Sequence, residues 1–251
     1  MKASFLAAAA LMLSMAFVLP PVAKAAELKV LAGGSIAGPL NELKSQFEQT
    51  TGHKLTIHFD STPNLIKQVT SEAPFDFGVV PIDVFKDAAA KAKFAERTTD
   101  IARVGYGVAV RTGAPKPDIS SPDALKQTLS KAQSIATLPA SAAGAYVLSV
   151  FERLGIAEAM KAKIKVQPTP AAIPQAVARG DAELGVFLTN VLIAPGVELA
   201  GSFPAELQQE LIFTAAVASA SKEADAAKAF IAFLTTPAAT AVIKAKGMTP
   251  G

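Results

Sequence analysis

Residues 28–40 read LKVLAGGSIAGPL: a short apolar run, two glycines, a serine, and a proline that opens the next segment. Leu28 to Ala32 has the length and apolar character of a buried strand. A helical pattern of apolar residues follows over 40–47, and Gly52 marks its end. The stretch therefore predicts a strand, a serine-bearing turn and a helix in immediate succession.

The same unit recurs along the chain. Leu55, Ile57 and Phe59 alternate as a strand, Pro63 begins another helix, and residues 75–80 read as a third strand. Strands that alternate with helices of about 10 to 15 residues are typical of a parallel sheet covered by helices. The repetition predicts an α/β fold.

Two longer extended stretches, at 101–110 and 211–218, predict crossings between two lobes. We therefore predict two α/β lobes, each a mostly parallel sheet flanked by helices, joined by two crossing strands. Lobe 1 is expected to comprise 26–107 and 217–251, and lobe 2 to comprise 108–216. The length of 251 residues agrees with this division, because a single hydrophobic core seldom grows beyond roughly 250 residues.

The first 25 residues have the pattern of a secretory signal peptide. Lys2 precedes an apolar run from Ala3 to Leu19, two prolines follow, and residues 23–25 read Ala-Lys-Ala. The run is shorter than the roughly 20 apolar residues that a membrane span requires. We predict cleavage after Ala25 and a mature protein in the periplasm.

Composition excludes several classes of protein. The chain is 51% hydrophobic, without cysteine, and carries 24 Lys and Arg against 21 Asp and Glu. Loss of the leader removes Lys2 and Lys24, which leaves a net charge of +1. These values exclude a disordered chain and a disulfide framework. The scattered, nearly balanced charge predicts no nucleic-acid partner.

Small hydroxyl residues recur where a predicted strand gives way to a helix. Ser35 follows the first strand, Ser61 and Thr62 follow the second, and Ser141 precedes Ala142 and Ala143 after a strand at 135–138. Ligands of open α/β sheets bind at the carboxyl ends of the strands, where helix N-termini favour anions. The pattern predicts an anion site built from neutral donors, although a serine at any one of these positions also fits a helix cap.

Motifs for hydrolysis, nucleotide binding and zinc are missing from the sequence. Ser35 lacks the G-x-S-x-G spacing because position 37 is alanine, and His53 and His58 lie too close behind it for a hydrolase triad. Gly38 is followed by proline rather than by the Lys-Ser or Lys-Thr of a phosphate loop. Two histidines without cysteine are too few for a zinc centre. We expect no metal and no cofactor.

Two arginines are candidates for a charged clamp on a carboxylate ligand. Arg103, with Arg111 farther along, offers a guanidinium that matches a carboxylate in two parallel hydrogen bonds. A solvated surface position is the alternative for each arginine.

The order of several short motifs resembles the periplasmic molybdate-binding proteins of ABC transporters, a family with the type II binding-protein fold. The motifs are VLAGGS (30–35), DST (60–62), PAS (139–141) with the helix through Tyr146, and ARGDAELG (178–185). The resemblance implies two lobes that close on a ligand. It implies that Ser35 and Ser61 hold an oxyanion from the first lobe, and that amides around Ala142, Ala143 and Ala171 hold it from the second.

One position departs from that family. Molybdate-binding proteins place a tyrosine hydroxyl in the cleft after a Gly-Ile-Val-like strand, whereas this chain reads Gly185-Val186-Phe187-Leu188-Thr189-Asn190. Thr189 and Asn190 are then candidates for contacts with another ligand. The resemblance also extends to an isomerase of tricarboxylic acids such as aconitate.

Two functions therefore stay open. The first is a monomeric periplasmic protein that captures a small anion, an oxyanion or an organic acid, for an inner-membrane ABC transporter permease. The second is an isomerase that acts on a small tricarboxylic acid in the same cleft.

Overall fold

The computed structural model describes residues 25–251. The predicted leader, apart from Ala25, lies outside the described residues. The strands are β1 (Glu27–Gly33), β2 (Lys54–Asp60), β3 (Phe77–Pro81), β4 (Phe94–Val104), β5 (Tyr106–Arg111), β6 (Ile135–Thr137), β7 (Ile164–Val166), β8 (Leu184–Leu188), β9 (Val197–Ser202), β10 (Leu211–Ala218) and β11 (Thr249–Pro250).

The α-helices are α1 (Ala37–Thr51), α2 (Thr62–Thr70), α3 (Ala88–Lys91), α4 (Pro122–Lys131), α5 (Ala142–Arg153), α6 (Ala157–Lys161), α7 (Ala172–Arg179), α8 (Thr189–Leu192), α9 (Ala224–Leu234) and α10 (Pro237–Ala245). Short 3-10 helices cover Gly34–Ile36, Ile82–Lys86 and Ala205–Leu207. The predicted end of the first helix is confirmed, because Gly52 adopts a left-handed φ of 74° directly after α1.

The strands form two sheets. The first has the order β11-β4-β10-β3-β1-β2, and the second has the order β7-β6-β8-β5-β9. Helices flank both sheets, so the predicted two-lobed α/β fold is confirmed.

Each sheet is mixed rather than mostly parallel. β1 pairs in parallel with β2 and β3, and β6 pairs in parallel with β7 and β8. The remaining pairs, made by β4, β5, β9, β10 and β11, are antiparallel. Consecutive strands of a strand-helix unit run in parallel, because the helix between them returns the chain to the end of the sheet at which the previous strand began.

The sheets change at positions that differ from the predicted lobe boundaries. The chain leaves the first sheet at Val104 and enters the second at Tyr106, so the outward crossing lies at Gly105. The return crossing lies at 203–210. The extended stretch 211–218 is β10, which pairs with β3 and β4 inside the first sheet over its length. β10 is buried on both sides, so it consists of a continuous apolar run. A long apolar extended run of this kind also fits a crossing strand, which is why the sequence pattern predicted one.

The hydrophobic core runs through both lobes. In the first lobe, the Phe47 ring lies edge-on to Phe230 at 4.9 Å and near Phe233 at 5.5 Å, which fixes α9 against α1. A smaller cluster that includes Leu65, Val80 and Phe94 covers the other face of the first sheet. Among residues 25–251 no single helix has the length and hydropathy of a membrane span; α9 and α10 reach those criteria only jointly, with a bend of 62° between them.

Candidate functional site

A cleft between the two lobes lies at the carboxyl ends of β1 and β2 and at the start of α5. It encloses about 290 Å³ of empty space, including its open mouth. This interlobe cleft is lined by Gly33, Gly34, Ser35, Asp60, Ser61, Thr62, Pro81, Leu138, Ser141, Ala142, Ala143, Pro170, Leu211 and Phe213.

Ser35 and Ser61 line the interlobe cleft from the first lobe. Ser35 lies in the 3-10 helix directly after β1, and Ser61 lies between β2 and α2 in an extended conformation. Neither hydroxyl makes a hydrogen bond with another described residue, and Ser61 does not cap α2 with its side chain. Helix capping therefore does not account for these two serines.

The second lobe contributes the first turn of α5. Ser141 caps this helix: its hydroxyl accepts a hydrogen bond from the Gly144 N–H at 3.0 Å and donates one to the Leu138 carbonyl at 2.8 Å. The Ser141 side chain is thereby committed to the helix, and of the two interpretations of this serine the structure favours the cap. The amides of Ala142 and Ala143, at the first two helical positions, line the interlobe cleft.

The two lobes touch across the interlobe cleft at Thr62 and Ala142. The Ala142 N–H lies 3.4 Å from the Thr62 hydroxyl oxygen, a long hydrogen bond between residues 80 positions apart. Thr62 is 8% exposed. The contact places the start of α5 directly opposite the start of α2, so donors of both lobes face one small volume.

Asp60 is a lining residue that the sequence analysis did not select. Its carboxylate accepts hydrogen bonds from the Ser61 N–H at 2.7 Å, from Asn64 at 2.9 Å and from Gln68 at 3.0 Å, and His58 lies 3.4 Å away. Burial acts to raise the pKa of Asp60, but the hydrogen bonds from Asn64, Ser61 and His58 outweigh it and hold the pKa below its ordinary value. Asp60 directly precedes Ser61 in the sequence, and this adjacency could have identified it as a residue of the site.

The other missed lining residues are Gly33, Gly34 and the apolar Pro81, Leu138, Pro170, Leu211 and Phe213. Their side chains carry no chemistry that a sequence pattern reveals. None of the described residues that line the interlobe cleft is a lysine or an arginine. The partial positive charge at the start of α5 is the feature of this site that favours a negative group.

Four predicted site residues do not line the interlobe cleft: Ala171, Thr189, Asn190 and Arg103. Ala171 and Asn190 line a larger adjoining cavity. Thr189 contacts the outward crossing, since its N–H donates to the Gly105 carbonyl at 2.9 Å and its hydroxyl lies 3.3 Å from the same oxygen.

Arg103 lies on β4 and is partly exposed, with Nη2 3.6 Å from the Asp100 carboxylate. Arg103 is not among the residues that line the interlobe cleft, and its role as a clamp stays a prediction. Among residues 25–251 no cluster of three or more His, Cys, Asp or Glu has the arrangement of a metal site.

Comparison with known proteins agrees with the fold. Residues 28–249 match the model of a family described as bacterial extracellular solute-binding protein. The chain is 33% identical over 231 residues to an aconitate isomerase of Pseudomonas sp, covering 89% of this chain and 87% of that protein. It is 31% identical over 231 residues to the molybdate-binding protein ModA of Azotobacter vinelandii, covering 90% of each.

The solved periplasmic molybdate-binding protein of Azotobacter vinelandii superimposes with a TM-score of 0.74. That alignment covers 88% of this chain and 98% of the other, at 21% identity. The family model spans nearly all of the described residues, and the resemblance inferred from the motifs is confirmed. The chain therefore belongs to the bacterial extracellular solute-binding proteins and is a molybdate-binding-like member of that family.

Proposed function

We propose that this protein captures a small anion in the interlobe cleft and delivers it, in the periplasm, to an inner-membrane ABC transporter permease. The observation that carries the proposal is the meeting of neutral donors from both lobes at one cleft. Ser35 and Ser61 line the cleft from the first lobe, and Ala142 and Ala143, at the start of α5, line it from the second. A ligand that accepts from all four links the lobes, so its binding favours the closed arrangement.

The chemistry of the donors selects the sign of the ligand's charge. Hydroxyl and amide groups donate hydrogen bonds, and the N-terminus of α5 adds a partial positive charge. The Asp60 carboxylate, although it lines the cleft, is surrounded by donors of its own from Ser61, Asn64 and Gln68. These hydrogen bonds stabilise the ionised carboxylate without removing its negative charge, so the side of the cleft at the start of α5 is the side that favours an anion.

Titration calorimetry with the mature protein tests this proposal. The panel contains molybdate, tungstate, sulfate, phosphate and a set of di- and tricarboxylates. We expect at least one anion to bind at a single site, and Ser35→Ala and Ser61→Ala to weaken that binding. Ser45→Ala is the matched control, because Ser45 is exposed on α1 and its hydroxyl bonds only to the Asn41 carbonyl. Absence of heat with every anion would refute the proposal.

A second candidate function is isomerisation of a tricarboxylic acid, which the 33% identical aconitate isomerase favours. Such a reaction moves a proton between two carbons and needs a base beside the substrate. Asp60 is the titratable side chain that lines the interlobe cleft among the described residues, and its lowered pKa makes it a weak base. Binding without turnover therefore has the stronger support.

Incubation with cis-aconitate and with trans-aconitate separates the two functions. Interconversion that disappears in Asp60→Asn would establish the isomerase. We expect both acids to be recovered unchanged.

A further inference from the structure

The carbonyl group of Ser35 lies just outside α1 and is not taken up by that helix. The helix begins at Ala37, with Ile36 as its N-cap. To extend α1 back by one residue, the N–H of residue 39 would have to donate to the Ser35 carbonyl, but residue 39 is proline and has no N–H. The Ser35 carbonyl is therefore open to a donor from elsewhere in the fold.

Asn190 of the second lobe supplies such a donor. Its Nδ2 donates to the Ser35 carbonyl oxygen at 2.7 Å, across 155 positions of the chain. Among residues 25–251 this is the only hydrogen bond of the Asn190 side chain, because its Oδ1 is buried without a partner. A buried amide with one group unpaired is costly. Packing of the lobes alone would favour an apolar side chain here, and the contact with Ser35 is what the amide adds.

The short helix α8, which carries Asn190, is held from both sides. The Thr189 N–H donates to the Gly105 carbonyl in the outward crossing at 2.9 Å. On the side of the first lobe α8 approaches Gly247, where a Cβ would lie 2.7 Å from Ile193 Cδ1 and 3.6 Å from Asn190 Cα. This close approach leaves α8 little room to shift, so the packing of the two lobes sets where Asn190 meets Ser35.

We infer that Asn190 is a positioning residue of the anion site, which holds the backbone of Ser35 in the place from which Ser35 binds the anion. This inference rests on the proposed function, in which Ser35 is a donor to the anion. Asn190 does not line the interlobe cleft, so it acts on the anion through Ser35. Hydrogen bonds weaken steeply when their geometry is poor, and a donor whose backbone can shift therefore binds an anion less well.

A double-mutant cycle tests the inference by titration calorimetry with the tightest-binding anion of the panel. Asn190→Leu should weaken binding by roughly 2- to 12-fold, the net effect of one hydrogen bond, and by no more than Ser35→Ala does. In a Ser35→Ala background the same change should have much less effect, because the hydroxyl that Asn190 positions is already gone. In a Ser61→Ala background it should keep its full effect, since the Ser61 backbone is held by Asp60.

The stability of the free protein separates positioning from packing. Asn190→Leu removes the unpaired Oδ1 together with the donor, so the midpoint of thermal unfolding should change little. Asn190→Ala adds no bulk and checks that a loss of affinity does not come from the fit of leucine. Asn41→Leu is the matched control, because Asn41 is exposed on α1 and lines neither the interlobe cleft nor the adjoining cavity. Wild-type affinity in both Asn190 variants overturns the inference.

The same titrations distinguish this inference from the proposed function. If the wild-type protein binds an anion and the losses of Asn190→Leu and Ser35→Ala simply add, the positioning role is overturned and anion capture stands. If the wild-type protein binds no anion of the panel, anion capture falls and the positioning role falls with it.

Discussion

The side-chain amide of Gln208 bonds to both backbone groups of Tyr106. Its Oε1 accepts from the Tyr106 N–H at 2.8 Å, and its Nε2 donates to the Tyr106 carbonyl at 3.0 Å. Tyr106 follows the outward crossing at Gly105, whereas Gln208 lies in the return crossing. One side chain therefore ties the return crossing to the first residue of β5, directly after the outward crossing.

Replacing Gln208 by leucine should lower the free energy of unfolding by about 1–3 kcal/mol. The Tyr106 carbonyl keeps a hydrogen bond from the Phe203 N–H at 2.9 Å, but the Tyr106 N–H loses its acceptor in a partly buried position. Urea denaturation followed by circular dichroism measures the change. Gln49→Leu, at an exposed position of α1, is the control, and an equal loss in both variants would contradict the role assigned to Gln208.

Gly144→Ala should be severely destabilising. A Cβ at this position would overlap the Leu138 carbonyl oxygen, and the obstacle is backbone that has little freedom to shift. We expect a loss of about 3 kcal/mol or more, measured by urea denaturation. Gly38→Ala provides the contrast, since nothing lies within 4 Å of a Cβ there and the residue is inside α1. That variant should gain roughly 0.5–1 kcal/mol, and a loss similar to that of Gly144→Ala would refute the steric argument.

The two cleft serines should contribute separately to affinity. Ser35→Ala and Ser61→Ala each remove one uncharged donor from an anion, which should weaken binding by about 1–3 kcal/mol, or roughly 5- to 150-fold. Calorimetry with the tightest-binding anion gives the ratio. Thermal unfolding of the free variants should change little, because neither hydroxyl has a partner among residues 25–251. A large loss of stability without loss of affinity would indicate a structural role instead.

The free energy of unfolding should depend on pH through the ionisation of Asp60. Its pKa is lowered in the folded protein, so its contribution is complete above the pKa of the unfolded chain, near 3.8. That contribution is lost as the pH falls through the lower, folded value. Asp60→Asn should therefore have a flatter stability profile below about pH 4. Denaturation from pH 2.5 to 6 measures it, with Asp225→Asn, a fully exposed side chain, as the control. Identical acid profiles for wild type and Asp60→Asn would contradict this prediction.

Local signals predicted much of the architecture. The apolar run of β1, the helix that Gly52 ends, and the serines between strand and helix are all properties of adjacent residues, and the structure has them in place. The carboxyl ends of parallel strands meet at one edge of a sheet, so the proximity of Ser35 and Ser61 also followed from the pattern. The first half of the candidate site was therefore accessible from the sequence.

The sequence by itself determined the order of strands and helices, the two-lobed fold and the hydroxyl groups at the helix starts, because each depends on a few neighbouring residues. The tertiary structure alone decided that β10 belongs to the first sheet, that Arg103 lies outside the cleft, and that Asn190 reaches the Ser35 carbonyl 155 positions away. Contacts at such separations depend on how the two lobes pack against each other. No local pattern encodes that packing, since it is set by the combined shape of surfaces that the chain brings together only when it has folded.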